Sequence, residues 1–197
     1  MTDRASTSNS QDPIRPVTSR AMLARLMQRV CADIGADRHM LVEPSVERGP
    51  KSVRIITSNW IFDALEDLGV EGIARIIESG HAVGAGMQPR AMRVASASFL
   101  SAEEKQTLAE HGHAEMFCQK LSTCRGSVFA LFSAHAPRRI DAGALVRAHM
   151  TCCYALNQFF AASAGRGSSA LLSERERECL LWVSEGKTTD EVALILG

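Results

Sequence analysis

The chain has 197 residues, with 22 basic and 22 acidic side chains and 46% hydrophobic residues. This length accommodates one sizeable domain and a small extension, and the balanced charge lacks the basic excess that nucleic-acid binding usually requires. No apolar run is long enough for a membrane span or a signal peptide, so we expect a cytoplasmic protein without a membrane partner.

The first third of the chain contains a polar arm, a helix and two strands. Residues 1–17 are rich in Ser, Thr, Asp and Pro without periodicity, which predicts a disordered arm. The next apolar residues recur at helical spacing until Gly35, which closes an amphipathic helix. The short apolar runs 39–42 and 53–57 predict two antiparallel strands.

The middle of the chain alternates between helical and extended patterns. Residues 59–79 predict one or two helices with a break near Gly69. Residues 90–99 are mostly small and predict a strand. Ser101 and Glu104 have the spacing of a capping box, so a further helix should begin there.

A hairpin and a long helix complete the larger region. Residues 116–122 and 127–133 are strand-like runs joined by a four-residue turn, and the second run is apolar on both faces. A sheet covered on both sides is therefore expected. Asp141 can cap a helix over 142–162. Its apolar seam packs either on the sheet or on a second subunit, and the seam consists of Leu145, His149, Cys152, Leu156 and Phe159.

Metal and catalytic motifs are not evident in this pattern. The six cysteines form no Cys-x-x-Cys pair, which indicates reduced thiols in packing positions. His111, His113 and Cys118 are metal-ligating residue types that lie near one another in sequence, but their spacing fits no common zinc pattern. No arrangement of a nucleophile with a base and no phosphate-binding loop suggests an enzyme. A small-molecule enzyme is therefore kept only as an alternative, behind the two functions given below.

Two capping boxes organise the last part of the chain. Ser173 and Glu176 form the first, so a helix should begin at Ser173 and end at Gly186, where a left-handed cap is expected. Thr188 and Glu191 form the second box, and apolar residues follow it at helical spacing. The segment therefore predicts two short consecutive helices.

Four motifs in this segment resemble, in their order, the first half of a LuxR-type DNA-binding domain: Arg-Glu-Arg-Glu at 175–178, Trp182, Gly186-Lys187 and Glu191-Val192-Ala193. In that family the second helix supports a basic recognition helix that reads the major groove. The resemblance implies DNA contacts at the start of the supporting helix, at Lys187, Thr188 and Thr189. Residues 171–197 carry a net charge of −3, so this segment alone should not grip DNA phosphates.

The order of elements upstream resembles the autoinducer-binding domain of LuxR-type regulators. Residues 110–115, with their glycine, are similar to the family's segment before the hairpin. The resemblance implies an α/β (α+β) fold, an α-β-α sandwich with an antiparallel sheet, followed by the first two helices of an all-α helix-turn-helix domain. The expected organisation is a disordered arm at 1–17, a sensor and dimerisation domain at 18–163, a linker at 164–170 and a truncated helix-turn-helix domain at 171–197.

The family's ligand-binding residues are only partly present. Trp60 resembles the tryptophan that contacts the lactone carbonyl in acyl-homoserine-lactone receptors, although a core tryptophan is the competing interpretation. Ala64 stands where the family has Tyr, and 72–74 stand where it has an Asp-Pro pair. The ligand is therefore expected to be an acyl-homoserine-lactone-like or another small molecule, rather than an ordinary lactone. Ser127 and Ser133 are further pocket candidates that strand alternation alone does not place.

These observations predict a LuxR-type transcriptional regulator with a divergent or orphan sensor domain, which binds promoter DNA in its complete form. The resemblance implies a homodimer, or a heterodimer with another LuxR-type regulator. Quorum-sensing genes are one expected target. Motility genes are the other, because the Ser-Asn-Trp segment is similar to that of rhizobial regulators of flagella. The alternative is an interaction protein that ends naturally at Gly197 and inhibits full-length relatives by dimerising with them.

Overall fold

The computed structural model describes residues 16–45, 52–81, 89–164 and 173–197. The predicted arm, except for its last two residues, and the predicted linker beyond Ala164 lie outside the described residues. The described part contains α1 (Arg20–Ile34), β1 (Arg38–Ser45), β2 (Ser52–Ser58), α2 (Phe62–His81), β3 (Arg90–Arg93), a 3-10 turn (Val94–Ser96), α3 (Ala102–Glu110), β4 (Glu115–Thr123), β5 (Gly126–Ala134), α4 (Ala142–Ala164), α5 (Glu174–Ser184) and α6 (Thr189–Leu196).

The five described strands form one antiparallel sheet in the order β2-β1-β5-β4-β3. Strand β5 lies in the centre and is buried on both faces, because alternate residues point into different cores. Val128, Ala130 and Phe132 face α1 and α4, whereas Phe129 and Leu131 face α2 and α3. The expected α-β-α sandwich is confirmed. We call its two cores the α1/α4 layer and the α2/α3 layer.

Glycines end or break the first two helices as the sequence predicts. Gly35 follows α1 with a φ of 78°, and a Cβ atom there would lie 2.5 Å from the carbonyl oxygen of Arg139. Gly69 interrupts α2 with a φ of 62° and a ψ of 174°. Both positions require backbone conformations that other residues rarely adopt.

The predicted strand over 90–99 is wrong beyond its first four residues. Strand β3 ends at Arg93 and the chain turns into the 3-10 segment. Strand β3 is an edge strand whose partner, β4, begins at Glu115 opposite Arg93. Residues after Arg93 therefore have no neighbouring strand with which to form ladder hydrogen bonds.

Helix α4 packs on the sheet through the predicted seam. Asp141 caps it by accepting hydrogen bonds from the N–H groups of Gly143 and Ala144 at 2.8 and 3.0 Å. The first four seam residues are buried and Phe159 packs against the same core. A different face of the helix exposes three apolar side chains: Val146, Met150 and Tyr154.

The last two helices begin where the capping boxes predict. Ser173 and Thr188 each accept a backbone hydrogen bond from the glutamate three residues later, and each glutamate side chain accepts from the cap backbone. Gly186 adopts a φ of 84° just beyond α5, as expected. Across the described ranges, no helix is both long and apolar enough to cross a membrane.

Candidate ligand site

The turn after β2 holds Trp60 in place through Asn59. The backbone N–H of His39 donates to Asn59 Oδ1 at 2.6 Å, and Asn59 Nδ2 donates to the carbonyl oxygen of Asp37 at 3.3 Å. The backbone N–H of Trp60 donates to Ser58 Oγ at 3.0 Å. These bonds tie the turn to β1, so Trp60 enters the α2/α3 layer from a fixed backbone.

Trp60 packs directly against a buried histidine. The ring centroids of Trp60 and His113 lie 4.1 Å apart with an angle of 34° between the planes. Gly112, with a φ of 79°, turns the chain after α3, and the His113 N–H donates to the carbonyl oxygen of Leu108 at 2.7 Å. His113 Nδ1 lies 2.7 Å from Ser133 Oγ on β5. Three chain segments therefore meet at this histidine.

Two polar atoms of this cluster have no partner in the described structure. Trp60 Nε1 and His113 Nε2 are both buried without a hydrogen bond. Their side chains belong to residues that are only 3% and 0% exposed, so water does not reach them freely. Buried polar atoms normally have partners, and unpartnered ones in a cluster indicate a place where a ligand or an ordered water binds.

The His113 ring is neutral at physiological pH. Burial, with smaller contributions from the positive Arg38 and from His111, lowers its pKa to about 4. A neutral imidazole carries one proton, so His113 can offer either a donor or an acceptor at Nε2 according to its tautomer. The site is therefore suited to an uncharged polar group.

Apolar side chains make up the rest of this layer. They come from the sheet and from α2 and α3, and they include Met40, Val42, Leu65, Ile76, Leu108, Met116, Phe129 and Leu131. Ala64, Ile73 and Ala74, at the positions where the resembled family has polar anchors, are buried, and Ile73 and Ala74 belong to this cluster. The site thus combines a small polar cluster with a large hydrophobic surround, as ligand sites commonly do.

The helices α5 and α6 cover this layer. Val192, Ile195 and Leu196 of α6 are 5%, 4% and 2% exposed and belong to the same buried cluster as Trp60. Helix α6 contacts α2 and β2. The apolar face of the second predicted helix is therefore packed against the α-β-α sandwich.

Charged side chains on neighbouring elements also hold α5 against the α2/α3 layer. Arg54 on β2 donates from Nε to Glu43 at 2.6 Å and from Nη1 to Glu178 of α5 at 3.1 Å. Burial lowers the pKa of Arg54, but the two carboxylates raise it by more, so that the pKa lies above its usual value. The guanidinium of Arg20 lies 4.3 Å from the ring centroid of Trp182, a cation-π distance.

The predicted DNA-contact residues lie together at the start of α6. Thr188 caps the helix, Thr189 is exposed, and Lys187 Nζ lies 3.3 Å from Glu191 Oε1. The negative partner reduces the charge that Lys187 presents to a phosphate. Their role in DNA binding stays a prediction.

His111, His113 and Cys118 do not come together as metal ligands in the described part of the chain. No group of three or more potential metal ligands occurs there, and His113 contacts Trp60 and Ser133 instead. Burial raises the pKa of Cys118 to about 12, so its thiol stays protonated.

Sequence reasoning missed part of the cluster. The sequence suggests His113 only as a metal-ligating residue type, and it does not distinguish Ser133 from Ser127 as a hydroxyl facing a pocket. The available signal was alternation along β5, since Ser133 shares the face of Phe129 and Leu131. Nothing local indicated that His113 would meet Trp60.

Comparison with known proteins supports the class of fold. No family model matches the sequence, and a search of curated proteins finds no match. The described chain has the fold of the autoinducer-binding domains of the LuxR family. At sequence identities below 20%, this likeness establishes the fold alone.

Escherichia coli SdiA is 18% identical, with a TM-score of 0.54 over 90% of this chain and 77% of that one. The N-acylhomoserine lactone dependent LuxR family transcription factor CepR2 from Burkholderia cenocepacia is 14% identical, with a TM-score of 0.53 over 77% of this chain and 88% of that one. A domain assigned to a two-component sensor histidine kinase protein from Sinorhizobium meliloti 1021 is 15% identical, with a TM-score of 0.50 over 76% and 95%. The fold therefore occurs in more than one class of signalling protein.

Proposed function

We propose that this protein is a cytoplasmic LuxR-type transcriptional regulator whose sensor domain responds to a small, largely apolar ligand bound beside Trp60. The observation that carries the proposal is the pair of unpartnered nitrogens, Trp60 Nε1 and His113 Nε2, inside an otherwise apolar layer. Burying such groups without partners costs about 1 to 3 kcal/mol each, and a ligand that pairs with them recovers that free energy. The proposal assigns the protein no catalytic role.

The contact of α6 with the same layer supplies a route from ligand to output. The apolar face of α6 packs beside α2, which also lines the ligand site. A ligand that shifts α2 changes the surface available to α6. The signal is then transferred because the ligand binds with different affinities to the arrangements of α2 and α6 before and after this shift.

Native mass spectrometry tests the sensor function. The protein is purified from its native source and from a heterologous host, with Trp60→Phe as a variant that loses the indole N–H and His39→Leu, at a buried position on the opposite face of the sheet, as a control. We expect a bound small molecule specific to the native source, with reduced occupancy in Trp60→Phe only. Ligand-free protein from both sources would contradict ligand sensing.

Sequencing of DNA that co-precipitates with the tagged native gene product tests the regulatory function. The proposed targets are promoters of motility or quorum-sensing genes, contacted near Lys187, Thr188 and Thr189. Enrichment of promoter fragments over an untagged control is expected. No enrichment, with the protein present at normal levels, would contradict a role as a DNA-binding regulator.

A second candidate function is an interaction protein that dimerises with a related regulator and inhibits it. The observation that favours it is the exposed apolar line on α4, where Val146, Met150 and Tyr154 are 51%, 71% and 53% exposed at steps of four residues. Such a line can pack against its copy in a second subunit. Met150→Glu should shift the sedimentation of a dimer to that of a monomer. Ala109→Glu, an added charge at an exposed position of α3, should not, and equal sedimentation of both variants would argue against this surface.

A further inference from the structure

We propose that helices α5 and α6 form a reversible latch on the α-β-α sandwich, closed by Arg54 and kept easy to open by Arg20, and that the closed latch is autoinhibitory. The inference rests on the proposed DNA-binding function and names the contact that restrains it. Arg54 lies on β2 and Arg20 is the first residue of α1, so both arginines belong to the sandwich.

One face of α5 meets both arginines. Glu178, Trp182 and Glu185 follow one another at steps of four and three residues, which places them on the same side of the helix. Arg54 Nη1 donates to Glu178 Oε1 at 3.1 Å. The guanidinium of Arg20 lies 4.3 Å from the ring centroid of Trp182, and its Nε lies 3.8 Å from Glu185 Oε1. Two separate elements of the sandwich therefore fasten the same side of α5.

The two arginines are paired unequally. Arg54 donates to Glu43 at 2.6 Å as well as to Glu178, so its charge is compensated while α5 is docked. The Arg20 side chain is only 9% exposed, and its Nε and Nη1 are buried without a hydrogen-bond partner. The distance of 3.8 Å to Glu185 is too long for a hydrogen bond. Burial accordingly lowers the pKa of Arg20 by more than the carboxylates of Glu185 and Glu178 raise it.

A buried charge that lacks hydrogen bonds opposes docking. Taking charged N–H groups out of water without an acceptor is costly, and the attraction of the cation to the Trp182 ring offsets only part of that cost. Trp182 is itself buried and lies against the guanidinium, so separation of α5 from the sandwich returns Arg20 to water. The favourable contact at Arg54 and the unfavourable one at Arg20 together narrow the free-energy difference between the closed and open arrangements.

The closed latch occupies the apolar face of α6. Val192, Ile195 and Leu196 are buried in the α2/α3 layer, whereas the other side of the helix carries the exposed Thr189, Asp190 and Ala193. In a helix-turn-helix, the first helix supports the recognition helix that enters the major groove. A helix with a single apolar face buries it against one neighbour at a time. The closed arrangement therefore excludes the arrangement that reads DNA.

Hydrogen exchange of the full chain at pH 7, followed by mass spectrometry, tests the latch. Glu178→Gln removes the charge that Arg54 holds, and Arg20→Met replaces the buried cation by an apolar side chain of similar length. Glu103→Gln on α3 and Arg147→Met on α4 are matched controls, because they make the same changes at exposed positions outside α5 and α6. The readout is the exchange of α6, which contains none of these residues. Unchanged exchange in β5 shows that each variant is folded.

The two variants should change the exchange of α6 in opposite directions. Exchange should rise about tenfold in Glu178→Gln, the loss of one hydrogen bond between charged groups. It should fall about fivefold in Arg20→Met, because replacing an incompletely paired buried charge by an apolar side chain is often stabilising. The two controls should change it less than about twofold. Unchanged exchange in Glu178→Gln would overturn the role of Arg54, and unchanged or faster exchange in Arg20→Met would overturn that of Arg20.

Promoter enrichment tests the autoinhibition. In the tagged native gene product, Glu178→Gln should raise the enrichment of promoter fragments relative to the wild type, and Arg20→Met should lower it. Equal enrichment in all three proteins, together with the expected exchange of α6, would overturn the autoinhibition and leave the proposed function standing. No enrichment in any of them would contradict the proposed function and the autoinhibition with it, whereas hydrogen exchange decides by itself whether the latch exists.

Discussion

Acidification should destabilise this protein through two buried histidines. Burial lowers the pKa of His39, and burial with help from Arg38 and His111 lowers that of His113, each from 6.5 to about 4. The folded-state pKa is below the unfolded one, so the unfolded chain takes up protons first as the pH falls. The stability is therefore fully present above about pH 6.5 and is lost progressively between that pH and pH 4.

The magnitude follows from the size of the shift. A difference of roughly 2.5 pKa units corresponds to about 3 kcal/mol for each histidine once both states are protonated. At pH 5 the loss is about 2 kcal/mol for each, or about 4 kcal/mol for both. This is a large part of the stability that a domain of ordinary size possesses.

Urea unfolding at pH 7 and pH 5 measures the loss. The wild type is compared with His39→Leu, with His113→Leu and with the double variant. In each single variant, the difference in the free energy of unfolding between pH 7 and pH 5 should be about half that of the wild type. The two effects should add because the two side chains lie in different layers. A double variant that retains the full pH dependence of the wild type would refute the reasoning, since other groups would then be responsible.

Four further substitutions test the packing. In urea unfolding, Gly35→Ala should lower the free energy of unfolding by about 3 kcal/mol and Gly186→Ala by about 1 kcal/mol. Both glycines have positive φ, but only Gly35 approaches another backbone atom. Equal losses would show that the contact is unimportant. Leu131→Ala, at a fully buried position in the central strand, should cost about 2 to 5 kcal/mol, and a loss below 1 kcal/mol would contradict its burial. Leu196→Ala should raise the hydrogen-exchange rate of α5 and α6 selectively; unchanged exchange there would contradict their packing on the α2/α3 layer.

Elements that depend on local interactions could be predicted from the sequence. The capping boxes at Ser101, Ser173 and Thr188 each mark the start of a helix in the structure. Gly35 and Gly69 end or break helices because their backbone conformations are set by steric limits within a few residues. The prediction of a strand over 90–99 is wrong beyond Arg93, because a strand exists only where a partner strand lies beside it.

The candidate site likewise has one part that the sequence indicates and another that only the tertiary structure shows. Trp60 is a candidate from the sequence because its flanking residues resemble those of a known family. The cluster of Trp60 with His113 and Ser133 was decided only by the tertiary structure, because these side chains come from the turn after β2, the turn after α3 and the central strand. The packing of α6 on α2 and β2 has the same origin. Its amphipathic pattern predicts that one face is buried, whereas the surface that buries it is set by contacts between residues more than a hundred positions apart.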